Sequence, residues 1–526
     1  MTHLVTAAGA ESASARHTSR GIAVRLFLTC WLVFALHFAT NTVREIYPAL
    51  TLGDHFSLDV SEYLDFHPDI FAVPGRGAFI NNNPGVSMLG AIPYLLTRPL
   101  IDRLVQRQLR VRAASGAAPA HYDTIYPMAR EFHRKAQERG LELKFGLAAA
   151  VMQALCMAPL SALSVVVMFH ILTSLNVAAR AAAALALLYA VATPVLYRTA
   201  QLNQNVVVGH FALFAFALLW RPWDDPRAPR QPRYWLAGLL SGAALLCDYS
   251  GLIVLLALGF YALARRRALP LALRSRADIP FFAAGASIGI AVLLASQWLC
   301  FGHPLYPAQH YMPPAHFSDL GYHGMAWPQL DLAWATAFDM RFGLFTSAPL
   351  LLLALYPPAW RHGGGLGLRE RACIAGLCVL FFLFCSANQY GRMQFNCGVR
   401  HIVPVVPFLF LIAAGALRGL PTAVAAGIAI VTAYWSWCLA MYRDVEQGLG
   451  VFESLIHVTS EGLRLPWLTT AEHMGYLPPG LLATPLLLLS GALVWGLWRV
   501  KRLPLRPRRR FGARPLASAR REPARF

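Results

Sequence analysis

The chain has 526 residues, of which 57% are hydrophobic and only 14% charged, and its mean hydropathy is +0.47. A soluble domain is about 45–50% apolar, so this composition excludes one and indicates a membrane protein crossed by helical runs of about 20 apolar residues. The formal charge of +20 is almost wholly arginine, since lysine occurs only at 135, 144 and 501. These arginines lie between apolar runs and in the C-terminal tail, where they set topology rather than bind nucleic acid.

In chain order, residues 1–21 form a small, polar, flexible cytoplasmic head with Arg16 and Arg20. The run Ile22–Thr40 is long enough to span, and no small-x-small cleavage site follows it, which makes it an uncleaved signal anchor. The next stretch, NTVREIYPALTLGDHFSLDVSEYLDFHPDIFAVPGRGAFINNNPG (41–85), gathers Glu45, Asp54, Asp59, Glu62, Asp65 and Asp69. It also holds Arg76 between glycines and the run Asn81-Asn82-Asn83 before Pro84. Such a density of carboxylates in so uncharged a chain marks the loop as half of an active site. Val86–Val105 is interrupted by Pro93, Arg98, Pro99, Asp102 and Arg103, and reads better as an amphipathic helix in the interface than as a span.

Eleven more spans follow, at roughly 146–172, 181–197, 205–220, 235–250, 251–264, 279–299, 343–358, 372–387, 402–417, 421–441 and 480–498. With 86–105 outside, the inner connections carry Arg180, the groups 221–233, 265–276 and 361–371, Arg418 and the tail 499–526. The outer ones carry mainly Arg198, Arg341, Arg392 and Arg400. The positive-inside rule therefore puts both termini in the cytoplasm and a long first loop, 41–144, outside. Four outer segments follow it: Tyr197–Asn205, Cys300–Phe342, Ala387–His401 and Tyr442–Pro479. Of nine cysteines, seven fall inside apolar runs as small buried hydrophobes. Cys300 and Cys397 stand at outer ends, where a disulfide is open to them.

On this layout the chain resembles polytopic glycosyltransferases of the GT-C fold, the class of protein O-mannosyltransferases and bacterial aminoarabinose transferases. The likeness runs through REIYPALTLGDHFSLDVSEYL (44–64), where Glu45 and Tyr47 match an acidic-x-Tyr signature, and through NNNPG (81–85). It continues in AGLLSGAALLCDYSG (237–251), RFGLFTSAPLLLLAL (341–355) and GVRHIVPVVPFLFL (398–411), and covers most of residues 22–420. Asn83 and Asp248 stand where the class often has lysines, and Gln201, Asn203, Gln204 and Asn205 where an aspartate is common. The resemblance implies an all-α polytopic fold of about twelve transmembrane helices, with interfacial helices in the first outer loop. The module would be 22–420, followed by further spans in 421–498. It also implies a bacterial inner-membrane enzyme that moves a sugar from a polyprenyl-phosphate donor to a lipid, glycan or protein acceptor on the extracytoplasmic side.

An inverting transfer of that kind needs a carboxylate to take the acceptor's proton and cations to hold the leaving phosphate. Glu45 is the first choice of base, held at the membrane surface by the end of the anchor; the bland alternative is that it pairs with Arg44 or caps a helix. Asp59 and Glu62 are the second choice. For the phosphate, Arg400 with His401 comes first and Arg341 or Arg392 second, since guanidinium forks bind phosphate bidentately. Arg76 and Asn83 are further substrate-binding candidates. Asp248, at the outer end of a span, faces the site or pairs with an arginine. His170 and His210 read as core histidines. The segment 303–327, with His303, His310, His316 and His323, offers aromatic stacking to a sugar. No spacing demands a metal or other cofactor, although a divalent cation in the acidic loop stays open. A lipid transporter or flippase would place ionisable residues deep in several spans, whereas here they cluster at outer ends. A noncatalytic membrane protein is the third reading, kept open by the missing lysines.

Overall fold

The computed structural model describes residues 2–39, 43–116, 127–220, 230–271, 274–314, 317–362, 365–392, 400–441, 450–474, 477–478 and 482–500. The protein is a polytopic helical membrane protein whose only described sheet is one two-stranded hairpin. The first helix, α1, runs unbroken over Thr2–Leu36, so the segment expected to be a flexible head is helical from Thr2. After it come α2 (Ile46–His55), the antiparallel pair β1 (Ile70–Val73) and β2 (Gly77–Ile80), and α3 (Gly85–Ser115). Helix α3 tolerates Pro93 and Pro99 in its interior and exposes Ile92, Leu96 and Leu100 at helical spacing. It is not among the helices apolar enough to cross a membrane, in keeping with an interfacial role for 86–105.

Helix α4 (Pro127–Glu138) leads into α5 (Glu142–Met152) and α6 (Ala158–Ser174), which are joined through a widened turn at 153–157. Then follow α7 (Ala179–Val191), α8 (Val195–Arg198), α9 (Gln204–Trp220), α10 (Gln231–Cys247), α11 (Gly251–Ala268) and α12 (Asp278–Phe301). The outer segment after α12 carries α13 (Leu330–Phe338). The expected span 343–358 is broken into α14 (Leu344–Ser347), a tight 3-10 stretch Pro349–Leu355 and α15 (Pro357–His362). Pro349, Pro357 and Pro358 lack the N–H groups that a continuous helix needs there. The chain closes with α16 (Leu368–Ala387), α17 (Val406–Arg418), α18 (Thr422–Met441), α19 (Val451–Glu461), α20 (Pro466–His473) and α21 (Ala483–Arg499).

Among the described residues, five helical segments are long and apolar enough to cross a membrane: Ser19–Leu36, Glu142–Ser174, Asp278–Phe301, Leu368–Ala387 and Thr422–Met441. Four shorter apolar helices accompany them, Ala179–Val191, Gln204–Trp220, Val403–Arg418 and Ala483–Arg499. Helix α9 is apolar apart from Gln204, Asn205 and His210 and buried along its length except at Leu218, which makes it the central post of the bundle. Helices α10 and α12 approach most closely because each carries a Gly-x-x-x-Gly pair: Gly238 and Gly242 against Gly285 and Gly289. A Cβ at any of the four would overlap backbone of the other helix.

These contacts aim several chain ends at one place. In the widened turn, Gln153 donates to the Phe34 carbonyl (2.7 Å) and the Thr199 carbonyl (3.2 Å), while Ala39 N–H reaches the Ala200 carbonyl (2.8 Å). The end of α1 is thereby tied to the 197–204 segment that opens α9. The expected Cys300–Cys397 pair falls outside the described residues at Cys397, and Cys300 is a buried free thiol.

Candidate functional site

Four segments converge at the end of α1: Arg44-Glu45 before α2, Asp69 and Asn81-Asn82 at the base of the hairpin, Arg198 ahead of α9 with Gln204 at its first turn, and Arg400-His401 before α17. Glu45 occupies the residue before α2 but makes no side-chain cap there. Only 5% of it is exposed. Its Oε1 takes Arg44 Nε at 3.3 Å and Asn82 Nδ2 at 2.5 Å. Oriented to satisfy its surroundings, the Gln204 amide also donates to Oε1, while its oxygen accepts from Arg44 (3.3 Å) and Asn82 (2.9 Å). Among the described residues no donor reaches Oε2. Ser87 Oγ fixes the backbone by donating to the Glu45 carbonyl (2.8 Å).

Arg44 forks outward from the same point, to Asp69 Oδ2 (2.5 Å) and Asn81 Oδ1 (3.0 Å). Burial alone would weaken its charge, but Asp69 and Glu45 hold its pKa above the usual value. Burial likewise would raise the Asp69 carboxyl, yet Arg44, His67 and Arg400 hold it below the usual range. Arg400 lies within electrostatic reach of Arg44, Asp69, Glu45 and Arg198; burial first, then Arg44, bring its pKa down to about 10. His67 falls to about 4 through burial and the fields of Arg44 and Arg400. His401 is held well below its usual value by burial and by Arg400, Arg44 and Arg198. Both imidazoles are therefore neutral at pH 7. Among the described residues, the guanidiniums of Arg44, Arg198 and Arg400 and the carboxylates of Glu45 and Asp69 form one electrostatically linked group.

Of the residues singled out in the sequence, Glu45, Arg400 and His401 come together here. Asn83 stands beside them but turns away, donating to the Leu245 carbonyl at the end of α10 (2.8 Å). Asp59 instead builds the hairpin. Its Oδ1 accepts Ser61 Oγ (2.5 Å) and the N–H groups of Ser61 and Ala78 (both 3.0 Å). Burial opposes ionisation there, but those bonds together keep its pKa below the usual value. Glu62 is exposed, 3.9 Å from His55 Nε2. Arg76, at the hairpin tip, reaches the Leu299 carbonyl (3.4 Å) at the C-terminal end of α12. Arg341 is closed on Asp339 by two bonds of 3.2 Å. Arg392 is held by Asp331 and Gln329, both at 2.7 Å. Asp248 accepts the Ser250 N–H (2.8 Å), and among the described residues no arginine forms an ion pair with it. These side chains are spent on local structure outside the Glu45 cluster.

One group of metal-ligating type occurs among the described residues, Asp54, His55 and Glu62. Asp54 is already neutralised by Arg98 (3.0 Å) and Lys144 (2.7 Å) and accepts Tyr94 Oη (3.0 Å). It lies nine residues along α2 from Glu45, roughly 14 Å away at the helical rise, so an ion there would not touch the Glu45 cluster. In the His-rich segment, His303, Tyr306 and His310 stack in series at 4.1 and 4.6 Å, with His323 edge-on to His310. His316 lies outside the described residues. The residues that sequence reasoning passed over are Arg44 as a hub, Asp69, Asn81, Asn82, Arg198 and Gln204. The available signal was the polar run 201–205, which leads into the first turn of an otherwise largely apolar helix.

No protein-family model matches the sequence, and no curated protein does. Among solved structures the chain is similar to ArnT from Cupriavidus metallidurans in the apo state, at 13% identity and a TM-score of 0.43, over 88% of this chain and 76% of that one. It is similar to the same protein bound to undecaprenyl phosphate at 16% identity and a TM-score of 0.45, over 86% and 74% of the two chains. A third likeness is to the oligosaccharyltransferase of Archaeoglobus fulgidus in the apo form, at 11% identity and a TM-score of 0.37, over 87% of this chain and 56% of that one.

Proposed function

We propose that this protein is an inverting glycosyltransferase that moves a sugar from a polyprenyl-phosphate donor to a lipid, glycan or protein acceptor on the extracytoplasmic side of a bacterial inner membrane. The observation that carries the reading is a buried carboxylate with one oxygen committed and the other met by no donor among the described residues, set beside the guanidiniums of Arg44 and Arg400. Glu45 Oε1 is fixed by Arg44, Asn82 and Gln204, which aims Oε2 outward as the base. The acceptor O–H gives its proton to Oε2 and its oxygen attacks the anomeric carbon. The bond from that carbon to the phosphate oxygen breaks, and its electron pair stays on the phosphate. Arg400, with Arg198 behind it, holds that phosphate.

Charge bookkeeping favours this division of roles. A phosphodiester donor brings one negative charge toward the linked guanidiniums of Arg44, Arg198 and Arg400. As the phosphate gains a second negative charge, Glu45 loses its own to the acceptor proton. The total charge of the site is the same before and after the transfer, so the fixed guanidiniums stabilise the transition state without reorganising.

The test is incubation of the purified protein in vesicles with radiolabelled polyprenyl-phosphate sugars and membrane acceptors. Label passing from donor to acceptor is the expected result. Lipid crossing the bilayer with its sugar still attached, and no transfer from any donor, would instead favour a transporter.

A further inference from the structure

We propose that α3 carries a docking surface for the anionic phospholipids of the surrounding membrane, formed by Arg103, Arg107 and Arg110. The three recur at helical spacing along one line of the helix, and all are exposed. Among the described residues none of them enters an ion pair or a side-chain hydrogen bond. The other two arginines of α3 are engaged: Arg98 with Asp54 (3.0 Å) and Asp102 (3.4 Å), and Arg112 with Glu142.

The direction in which that line faces follows from what the opposite side of α3 holds. Tyr94 Oη donates to Asp54 (3.0 Å), which Lys144 also reaches at 2.7 Å, and Gln108 donates to Glu142 (3.3 Å). Glu142 and Lys144 stand at the start of Glu142–Ser174, a segment long and apolar enough to cross a membrane. Helix α3 is therefore fastened at the level where that segment leaves the hydrocarbon, with Ile101 buried on the fastened side. At about 100° of turn per residue, the exposed Ile92, Leu96, Leu100 and Leu104 occupy one arc of the opposite side, and Arg103, Arg107 and Arg110 fall within the same arc, farther along. Exposed apolar residues of a helix at the membrane boundary enter the lipid. A merely solvated basic stripe would stand opposite them. One that continues their line meets headgroup phosphates, its aliphatic stems along the acyl boundary and its guanidinium forks on phosphate oxygens. Positive charges without a protein partner fit an anionic leaflet better than a zwitterionic one. Ser87, near the start of the same helix, fixes the Glu45 backbone, so lipid bound at this surface braces the helix that holds the Glu45 cluster.

The experiment uses the full-length protein in detergent with fluorescent phosphatidylglycerol, displaced at low salt by unlabelled phosphatidylglycerol, phosphatidylcholine or bare polyprenyl phosphate. For the wild type, phosphatidylglycerol is expected to displace the label about 10²-fold more effectively than phosphatidylcholine, at about fivefold for each arginine. That preference should shrink to a few-fold in about 0.5 M salt. Replacing the three together, Arg103→Gln, Arg107→Gln and Arg110→Gln, should bring the two phospholipids near parity, whereas Arg103→Lys, Arg107→Lys and Arg110→Lys together should keep the preference to within about threefold. Thermal melts establish that each variant is folded, and if the glutamine variant is not, the headgroup preference and salt dependence of the wild type decide. Parity of the two phospholipids on the wild type overturns the proposal. So does a folded glutamine variant with the wild-type preference, or a lysine variant that loses as much as the glutamine one. Polyprenyl phosphate that outcompetes phosphatidylglycerol on the wild type, and loses that advantage in the glutamine variant, would give the surface to the sugar donor and overturn its assignment to membrane phospholipid. None of these outcomes bears on Glu45 as the base, which the transfer assay tests separately.

Discussion

Replacing Arg400 by lysine turns a buried cation that is always charged into one that titrates in a measurable range. Burial and the neighbouring Arg44 bring the guanidinium from 12.5 to about 10. A lysine starts near 10.4, so the same environment would place an ammonium there at about 8. The sign is fixed by the chemistry: the protonated form is the one that holds phosphate, so activity is present below this pKa and lost as pH rises through it. At pH 7 about nine-tenths of the variant would be charged, and at pH 9 about one-tenth. Transfer by Arg400→Lys should therefore fall about tenfold between pH 7 and pH 9 relative to wild type, on top of a pH-independent loss of about tenfold from the missing bidentate fork. The assay is the initial rate of label transfer at donor concentrations well below saturation, where the profile reports the unliganded site, from pH 6.5 to 9.5. Thermal melts of both proteins at each pH establish that they stay folded. A lysine variant whose rate tracks that of wild type across the whole range would show that residue 400 does not act through its charge, and the reasoning would be wrong.

Three other outcomes are expected. Asp59→Ala should lower the unfolding free energy by about 2 kcal/mol at pH 7, because a charged acceptor of three hydrogen bonds is lost, while donor binding to the remaining folded protein stays near wild type. Since the folded-state pKa of Asp59 is depressed, its contribution is present above 3.8 and fades as pH falls below that, so wild-type and variant melting temperatures should converge in acid. Treatment with a chelator should leave transfer unchanged, because Asp54 already has Arg98 and Lys144 as counter-charges; an activity restored only by added divalent cations would contradict this. A cysteine replacing Ser115, at the far end of α3, should react with an impermeant thiol reagent from the periplasmic side, and labelling from the cytoplasm alone would reverse the topology.

The sequence made Glu45 legible because it is the first acid after the anchor, and Arg400 because it ends an outer segment just before a Pro-rich apolar helix. Both readings depend only on where a helix stops. Asp59 misled for the opposite reason. Its bonds to Ser61 and Ala78 exist only once FAVPGRGAFI closes into a hairpin, and that Pro-Gly turn between two apolar runs was there to be read. Asp69, Asn81 and Asn82 flank that hairpin, so their meeting with Arg44 follows from a strand register that the charge pattern did not disclose. The bland expectation for Glu45 is partly met, since it does pair with Arg44, and yet it leaves one oxygen uncommitted. Gln204 could not be tied to Glu45 from sequence at all, because their contact depends on how Gln153 binds the end of α1 to the start of α9.

The most direct measurement replaces Glu45 by glutamine, which keeps the shape and removes the base. With radiolabelled polyprenyl-phosphate sugar and membrane acceptor, transfer by Glu45→Gln is expected to fall by about 10²- to 10⁴-fold, the usual worth of a positioned general base, with polyprenyl phosphate still bound. Transfer at the wild-type rate by a folded Glu45→Gln protein would contradict Glu45 as the base.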